Sequence, residues 1–257
     1  MILALDIGNT HIVMGCIEDK EIKNIARMTS DTLKTEHEYA VLIKEILDID
    51  GIDISNIEGA IISSVVPPLN STVRGAIRRV TGHKPMLVGA GIKTGLNIMI
   101  DTPAQLGSDL AVAGVAALAA YKPPIIIVDM GTATTMTVIG ENSALLGGPI
   151  MPGVALSVSA LASHTSQLLN VSIDAPKNCI GKNTIDSMKS GAVFGAASMI
   201  DGMIERIEEE LGSMATVVAT GGLAGRIIPY CRRKDIICDD DLLLKGLEII
   251  YYKNAKK

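Results

Sequence analysis

Two stretches of near-identical design constrain what this chain can fold into: Ile2-Leu3-Ala4-Leu5-Asp6-Ile7-Gly8-Asn9-Thr10 and Ile125-Ile126-Ile127-Val128-Asp129-Met130-Gly131-Thr132-Ala133-Thr134-Thr135. In each, a run of large apolar residues ends in Asp-x-Gly followed closely by Thr, and a second β-prone run comes next. Asp6 and Asp129 stand 123 positions apart in a chain of 257. That spacing is the arithmetic of a duplicated domain, with a first lobe over residues 1–115 and a second over 116–257.

The rest of the pattern repeats as well. Ile2 to Asp6, His11 to Ile17 and Ile22 to Met28 read as a three-strand meander. Thr35-Glu36-His37-Glu38 then opens an amphipathic helix with an acidic first turn, which runs out before Gly51. Gly59 to Val66 reads as a buried parallel strand that Pro67-Pro68 closes into a loop. Leu69 to Val80 is a helix and Pro85 to Val88 a strand, followed by a Gly-rich connection to Leu106-Gly107-Ser108-Asp109. From Asp109 to Tyr121 nearly every residue is Ala, Val, Leu or Gly, a helix too apolar to be anything but central.

The second half predicts strands at Ile125 to Val128, Thr135 to Ile139 and Ala144 to Leu146, and helices at Val154 to Leu169 and Ile185 to Leu211. The latter is interrupted or tightly packed at Gly191 and Gly195. A strand at Thr216 to Ala219 ends in Thr220-Gly221-Gly222, and a helix from Leu242 to Lys253 closes the chain. Three strands followed by alternating helices and strands, done twice, predicts two α/β lobes facing each other across a cleft. The site is expected at strand ends and Gly-rich turns.

Composition removes several classes. A net charge of −5 gives no overall field for nucleic acid or an anionic membrane. One Phe, five Tyr and no Trp leave few faces for base stacking. Cys16, Cys179, Cys231 and Cys238 fit no metal spacing and are expected as reduced, mostly buried thiols of a cytoplasmic protein. No basic region or cleavage site precedes the first strand, so no signal peptide is expected. The uncharged run from Asn142 to Ile173 is broken by Pro and Gly and is read as strand, loop and helix rather than a membrane span. His11, His37, His83 and His164 are scattered, and Arg74, Arg78 and Arg79 read as a solvated helix face.

Asp-x-Gly-x-Thr at a strand end has a physical use. Glycine lets backbone N–H groups approach phosphate oxygens, Thr or Asn adds a donor, and the carboxylate holds Mg²⁺ directly or through water. Gly221-Gly222 is a third such turn, where a base or ribose could lie close to backbone. Neither a P-loop nor a Gly-x-Gly-x-x-Gly fingerprint is present. Asp109 admits two readings: a first-turn residue favoured by the helix dipole, or a catalytic base in a dry site.

These turns and the duplicated layout resemble the acetate and sugar kinase, Hsc70 and actin superfamily. Within it the whole chain resembles type III pantothenate kinase. Further stretches that carry the resemblance are Thr35-Glu36-His37-Glu38-Tyr39, Ile62-Ser63-Ser64-Val65-Val66-Pro67, Gly91-Ile92-Lys93-Thr94-Gly95-Leu96, Gly107-Ser108-Asp109, Gly148-Pro149-Ile150-Met151-Pro152-Gly153, Ile180-Gly181-Lys182-Asn183-Thr184 and Leu244-Lys245-Gly246-Leu247. The resemblance implies duplicated ribonuclease H-like, actin-like ATPase lobes around a central nucleotide cleft. It also implies ATP-dependent phosphorylation of pantothenate, the first step towards coenzyme A.

Under the resemblance Asp6, Gly8, Asn9 and Thr10 serve one phosphate turn, Gly131, Thr132 and Thr134 the other, and Gly221 and Gly222 the nucleotide. Asp6 and Asp129 are the metal carboxylates, and Asp109 accepts the proton of the attacking hydroxyl. Gly107, Ser108, Ile100 and Thr165 fall at acceptor positions, with Thr165 reaching the site of a partner subunit in a homodimer. Mg²⁺ and a monovalent cation, K⁺ or NH₄⁺, are implied too. The chain departs from the family where Leu110 replaces the Arg after the catalytic Asp, Ile100 a Tyr and Thr102 an Asn. Thr137 stands where some members carry an acidic cation ligand. Loss of an Arg-carboxylate bond weakens acceptor binding by about 1.5–3 kcal/mol, one to two decades in KM. Two alternatives follow: a kinase of this fold with another small hydroxy acid as acceptor, or a non-catalytic nucleotide-binding accessory protein.

Overall fold

The structure, a computed structural model, describes residues 1–255. The chain forms two compact units. One comprises Met1–Leu96, Thr102–Ala116 and the C-terminal stretch that begins at Leu242; the other comprises Asn97–Asp101 and Ala117–Asp241.

In the first unit, β1 (Ile2–Ile7), β2 (His11–Glu18) and β3 (Glu21–Thr29) form the predicted meander. Helix α1 (Glu36–Ile49) follows a capping box in which Thr35 and Glu38 satisfy each other's backbone N–H groups. β4 (Gly59–Ser64) lies parallel to β1 with Ser63 opposite Asp6. The expected loop after it is absent: α2 (Pro67–Thr81) begins at Pro67 itself, because proline at the first helical position loses no needed N–H. A two-residue strand, β5 (Met86–Leu87), completes a sheet of order β3-β2-β1-β4-β5. Leu3, Leu5 and Ile62 pack beneath α1 and α2 with Tyr39, Ile43, Val73 and Ile77. The basic face of α2 is solvated, with Arg78 exposed and Arg79 ion-paired to Glu36.

β6 (Asn97–Ile98) belongs to the second unit, and the chain returns to the first to start α3 (Ser108–Ala120). In the second unit β7 (Ile125–Met130), β8 (Ala133–Ile139) and β9 (Ala144–Gly147) repeat the meander. β10 (Ile150–Pro152), inside the Pro/Gly loop, pairs antiparallel with β8 and was not legible as a strand.

Helix α4 (Val154–His164) is shorter than the sequence predicts: Thr165 turns extended and its hydroxyl donates to the carbonyl of Leu161, 2.7 Å away. The predicted helix over 185–211 is three pieces, α5 (Thr184–Ser190), a π-helical turn over Gly191–Gly195, and α6 (Ala196–Leu211). β11 (Thr216–Thr220) runs parallel to β7, followed by α7 (Ala224–Ile227) and β12 (Ile237–Cys238). The sheet order is β12-β11-β7-β8-β9-β6, with β10 on β8.

The last helix, α8 (Leu242–Asn254), packs on β1 and β4 in the first unit, whereas the division at 115/116 assigned it to the second. Leu244, Leu247 and Ile250 of α8 share a core with Ile2, Ala4 and Ile61 on the face of the sheet opposite α1. The thiols also depart from expectation: Cys16 and Cys231 are buried, but Cys179 and Cys238 are exposed, and all four are free. Among the described residues no helix is long and apolar enough to cross a membrane.

Candidate active site

In the first unit the site residues cluster at the carboxyl end of β1. Asp6, half-buried, is the penultimate residue of the strand, and the chain turns through Gly8, Asn9 and Thr10, with Asn9 and Thr10 exposed. The turn is fastened by the residue that follows β3: the Ser30 hydroxyl donates to the Gly8 carbonyl at 2.5 Å and the Ser30 N–H to the Thr10 carbonyl at 3.0 Å. It is therefore a set piece, with exposed polar groups on a pinned backbone.

Gly107-Ser108-Asp109 arrives at the same strand ends. The Ser108 hydroxyl donates to the Ser64 carbonyl at 3.0 Å, accepts the Ser64 N–H at 3.0 Å, and lies 3.1 Å from the Ser63 hydroxyl. Since Ser63 is opposite Asp6, these bonds tie the start of α3 to the sheet beside that aspartate. Asp109 is half-buried, and its Oδ1 accepts the Leu110 N–H at 2.9 Å. Burial raises its carboxyl above the ordinary carboxylate value, partly countered by the backbone hydrogen bonds. A side chain on Gly107 would meet this carboxylate.

The second unit carries its own cluster around Asp129. Asp129 is half-buried, Gly131 and Thr132 are exposed, and Thr134 is fully buried on β8 with no hydrogen-bond partner for its hydroxyl. Thr220 lies opposite Asp129 in the parallel register, so the Gly221-Gly222 turn leaves the sheet beside it. Gly221 has φ +94°, and a Cβ there would sit 2.5 Å from the Asp129 carboxylate and 2.7 Å from Met130 backbone. Gly153, at the entrance of α4, approaches so closely that a Cβ would lie 2.7 Å from the Gly131 carbonyl. Two glycine turns, at Gly131 and Gly221, thus flank one carboxylate, with Gly153 packed behind the first of them, an arrangement suited to oxygen-rich anions and the hard cation that accompanies them.

Ile100 follows β6 in the second unit, with its Cγ2 3.5 Å from a Cβ built on Gly147. Thr165 is exposed beyond α4, Thr102 is exposed, and Thr137 is buried in β8. Sequence reasoning missed Ser63, Ser64 and Ser108 as a hydrogen-bonded set, and Gly153 as a wall of the second turn. The only signal for the former was a hydroxyl pair ending an apolar strand.

No group of three or more His, Cys, Asp or Glu side chains able to hold a metal forms among the described residues. The donor set nonetheless fits Mg²⁺, which is commonly held by one or two carboxylates with phosphate oxygens and water. Each unit carries one carboxylate beside a glycine turn, Asp6 in the first and Asp129 in the second, and in the second the orphaned Thr134 hydroxyl and the bare turns suit a phosphate-bearing ligand.

Two meander-opened α/β units with an Asp-x-Gly turn at the first strand of each define the class: the duplicated ribonuclease H-like fold of actin-like ATPases and sugar kinases. Solved structures agree at the level of fold. The inorganic polyphosphate/ATP-glucomannokinase of Arthrobacter sp. strain KM is similar at TM-score 0.51 and 14% identity, over 98% of this chain and 99% of that one. Component A of (R)-2-hydroxyglutaryl-CoA dehydratase from Acidaminococcus fermentans is similar at TM-score 0.56 and 15% identity, over 100% and 99%. The ethanolamine utilization protein EutJ from Carboxydothermus hydrogenoformans is similar at TM-score 0.54 and 12% identity, over 97% and 89%. Residues 2–206 match the family model of type III pantothenate kinase, and the chain belongs to that family. Membership places it among ATP-using kinases.

Proposed function

We propose that the protein is a cytoplasmic kinase that transfers the γ-phosphoryl group of ATP to the terminal hydroxyl of pantothenate, the first step of coenzyme A biosynthesis. Beyond family membership, the observation that carries this reading is Asp109: a half-buried carboxylate with a raised pKa, tied to the strand ends beside a phosphate turn. A base whose pKa has moved towards the working pH is better matched to proton abstraction than an ordinary Asp. The acceptor hydroxyl gives its proton to Asp109 as its oxygen attacks the γ-phosphorus, and the bond to the ADP oxygen breaks. Catalysis is largely positioning and charge stabilisation.

Asp6, Gly8, Asn9 and Thr10, with Asp129, Gly131, Thr132, Thr134, Gly221 and Gly222, bind the nucleotide. Mg²⁺, when bound through Asp6 and Asp129, neutralises phosphate charge. Gly107 and Ile100 border the acceptor, and a monovalent cation, K⁺ or NH₄⁺, supports the reaction.

We further propose a homodimer in which Thr165 serves the partner's site. Helix α4 is apolar yet buries only Val154 and Val158, leaving Leu156 and Leu161 exposed. Beyond Thr165 in the chain, Gln167, Leu169 and Val171 line an open recess of about 370 Å³ together with Asn183, Thr184, Ile185 and Met188.

Leu110, Ile100 and Thr102 favour a second reading, in which the acceptor is another small hydroxy acid. ADP release measured with Mg²⁺, ATP and K⁺, with pantothenate or a panel of hydroxy acids, tests both. Saturable turnover on pantothenate supports the first, and turnover only on other acceptors replaces it with the second. Nucleotide binding without turnover on any acceptor rejects both.

A further inference from the structure

We infer that Ser63, Ser64 and Ser108 form a positioning clasp that sets the catalytic carboxylate of Asp109 against β1. This rests on the assignment of Asp109 as base. Ser108 is the first residue of α3, one position past the capping site at Gly107, so its hydroxyl is not committed to its own helix. Here it reaches across to β4 instead. A serine hydroxyl has one proton to donate and two lone pairs to accept with. The proton goes to the Ser64 carbonyl, one lone pair takes the Ser64 N–H, and the Ser63 hydroxyl, 3.1 Å away, can fill the other. Its capacity is then used within the protein, so Ser108 acts through its neighbour and not on substrate.

The clasp is well placed to transmit position. Ser63 is fully buried and registers with Asp6; Ser64 registers with Ile7, and its hydroxyl accepts the Val66 N–H at 3.1 Å to close the turn into α2. Asp109 therefore follows directly on a residue fixed to the strand adjoining β1, and its own Oδ1 accepts the N–H of the next residue, Leu110. Without the clasp the first turn of α3 keeps its helical hydrogen bonds but loses its tie to the sheet. Displacement of a reacting group by about 1 Å can cost about 100-fold in rate.

The test compares the full-length wild type with Ser108→Ala, Ser108→Thr, Ser63→Ala and the Ser63→Ala/Ser108→Ala double variant, using Mg²⁺, ATP and pantothenate. Ser108→Ala is expected to lower kcat about 10- to 100-fold with the KM for ATP within about 2-fold, and Ser108→Thr to restore most of kcat. The double variant removes one of the groups that Ser108→Ala orphans, the Ser63 hydroxyl, so its melting temperature recovers in part while kcat stays low. A structural role alone would make kcat recover with stability.

Amide exchange without substrate reads the clasp independently: residues 108–111 should exchange about 10-fold faster in Ser108→Ala, with β7 unchanged. A kcat for Ser108→Ala within about 2-fold of wild type, or one that rises with melting temperature in the double variant, overturns the inference. Should the wild type phosphorylate no acceptor, the proposed function fails and exchange alone decides the clasp. Unchanged exchange at 108–111 would then overturn it.

Discussion

Gly221 stands where any side chain would collide with Asp129: a Cβ there would lie 2.5 Å from Oδ1, on a backbone already at φ +94°. The third glycine turn is thus fitted to the carboxylate of the second phosphate turn. Gly221→Ala is predicted to lower stability by about 1–3 kcal/mol from backbone strain and collision. It should also weaken ATP binding, measured by calorimetry. Gly225→Ala is the control: no atom lies within 4 Å of a Cβ at that helical position, and stability should hold or rise slightly.

Asp109 makes stability depend on pH in a direction opposite to that of a salt-bridged carboxylate. Its folded pKa is raised by burial above the ordinary 3.8. Between those two values the native state holds more protons than the unfolded chain, so stability falls as pH rises through the window. Above it the cost of the buried charge is fully present. Asp109→Asn should therefore melt higher than wild type at pH 8, with the difference shrinking as pH falls towards the ordinary carboxylate range. A melting curve at several pH values checks the sign.

The connection from residue 89 to 96 is latched by the end of α8. Asn254 donates to the Lys93 carbonyl and accepts the Lys93 N–H, both at 2.9 Å, and the Lys253 ammonium donates to the Thr94 carbonyl at 3.2 Å. Asn254→Ala should cost about 1–2 kcal/mol and speed limited proteolysis within residues 91–96. Cleavage at the wild-type rate would dismiss the latch.

Leu161 is 48% exposed on α4, so a charge there costs an isolated chain little. In the proposed homodimer it would fall in an apolar interface. Leu161→Glu should shift the mass measured by light scattering from dimer to monomer, with the melting transition still cooperative. A wild-type monomer would remove the proposed role of Thr165.

The Asp6 and Asp129 turns were legible because an apolar run ending in Asp-x-Gly is a local pattern, and α3 because its side chains are uniformly apolar. Ser63 and Ser108 were not, since their bond spans 45 residues and a hydroxyl leaves no periodic trace. The strands β6, β10 and β12 have two or three residues each, too few to show alternation. The sequence shows α8 as a helix, but which sheet its apolar side covers is decided by long-range packing against Ile2, Ala4 and Ile61. Thr165 ended α4 through a hydroxyl turned back on Leu161, where composition alone allowed the helix to continue.

The central claim is that Asp109 takes the acceptor proton in an ATP-dependent transfer. Its most direct test is ADP formation by wild type and Asp109→Asn with saturating Mg²⁺, ATP, K⁺ and pantothenate. The prediction is saturable turnover by the wild type and a loss in the variant of about 100-fold or more in kcat, with nucleotide affinity kept. A variant that turns over within a few-fold of wild type would contradict the assignment.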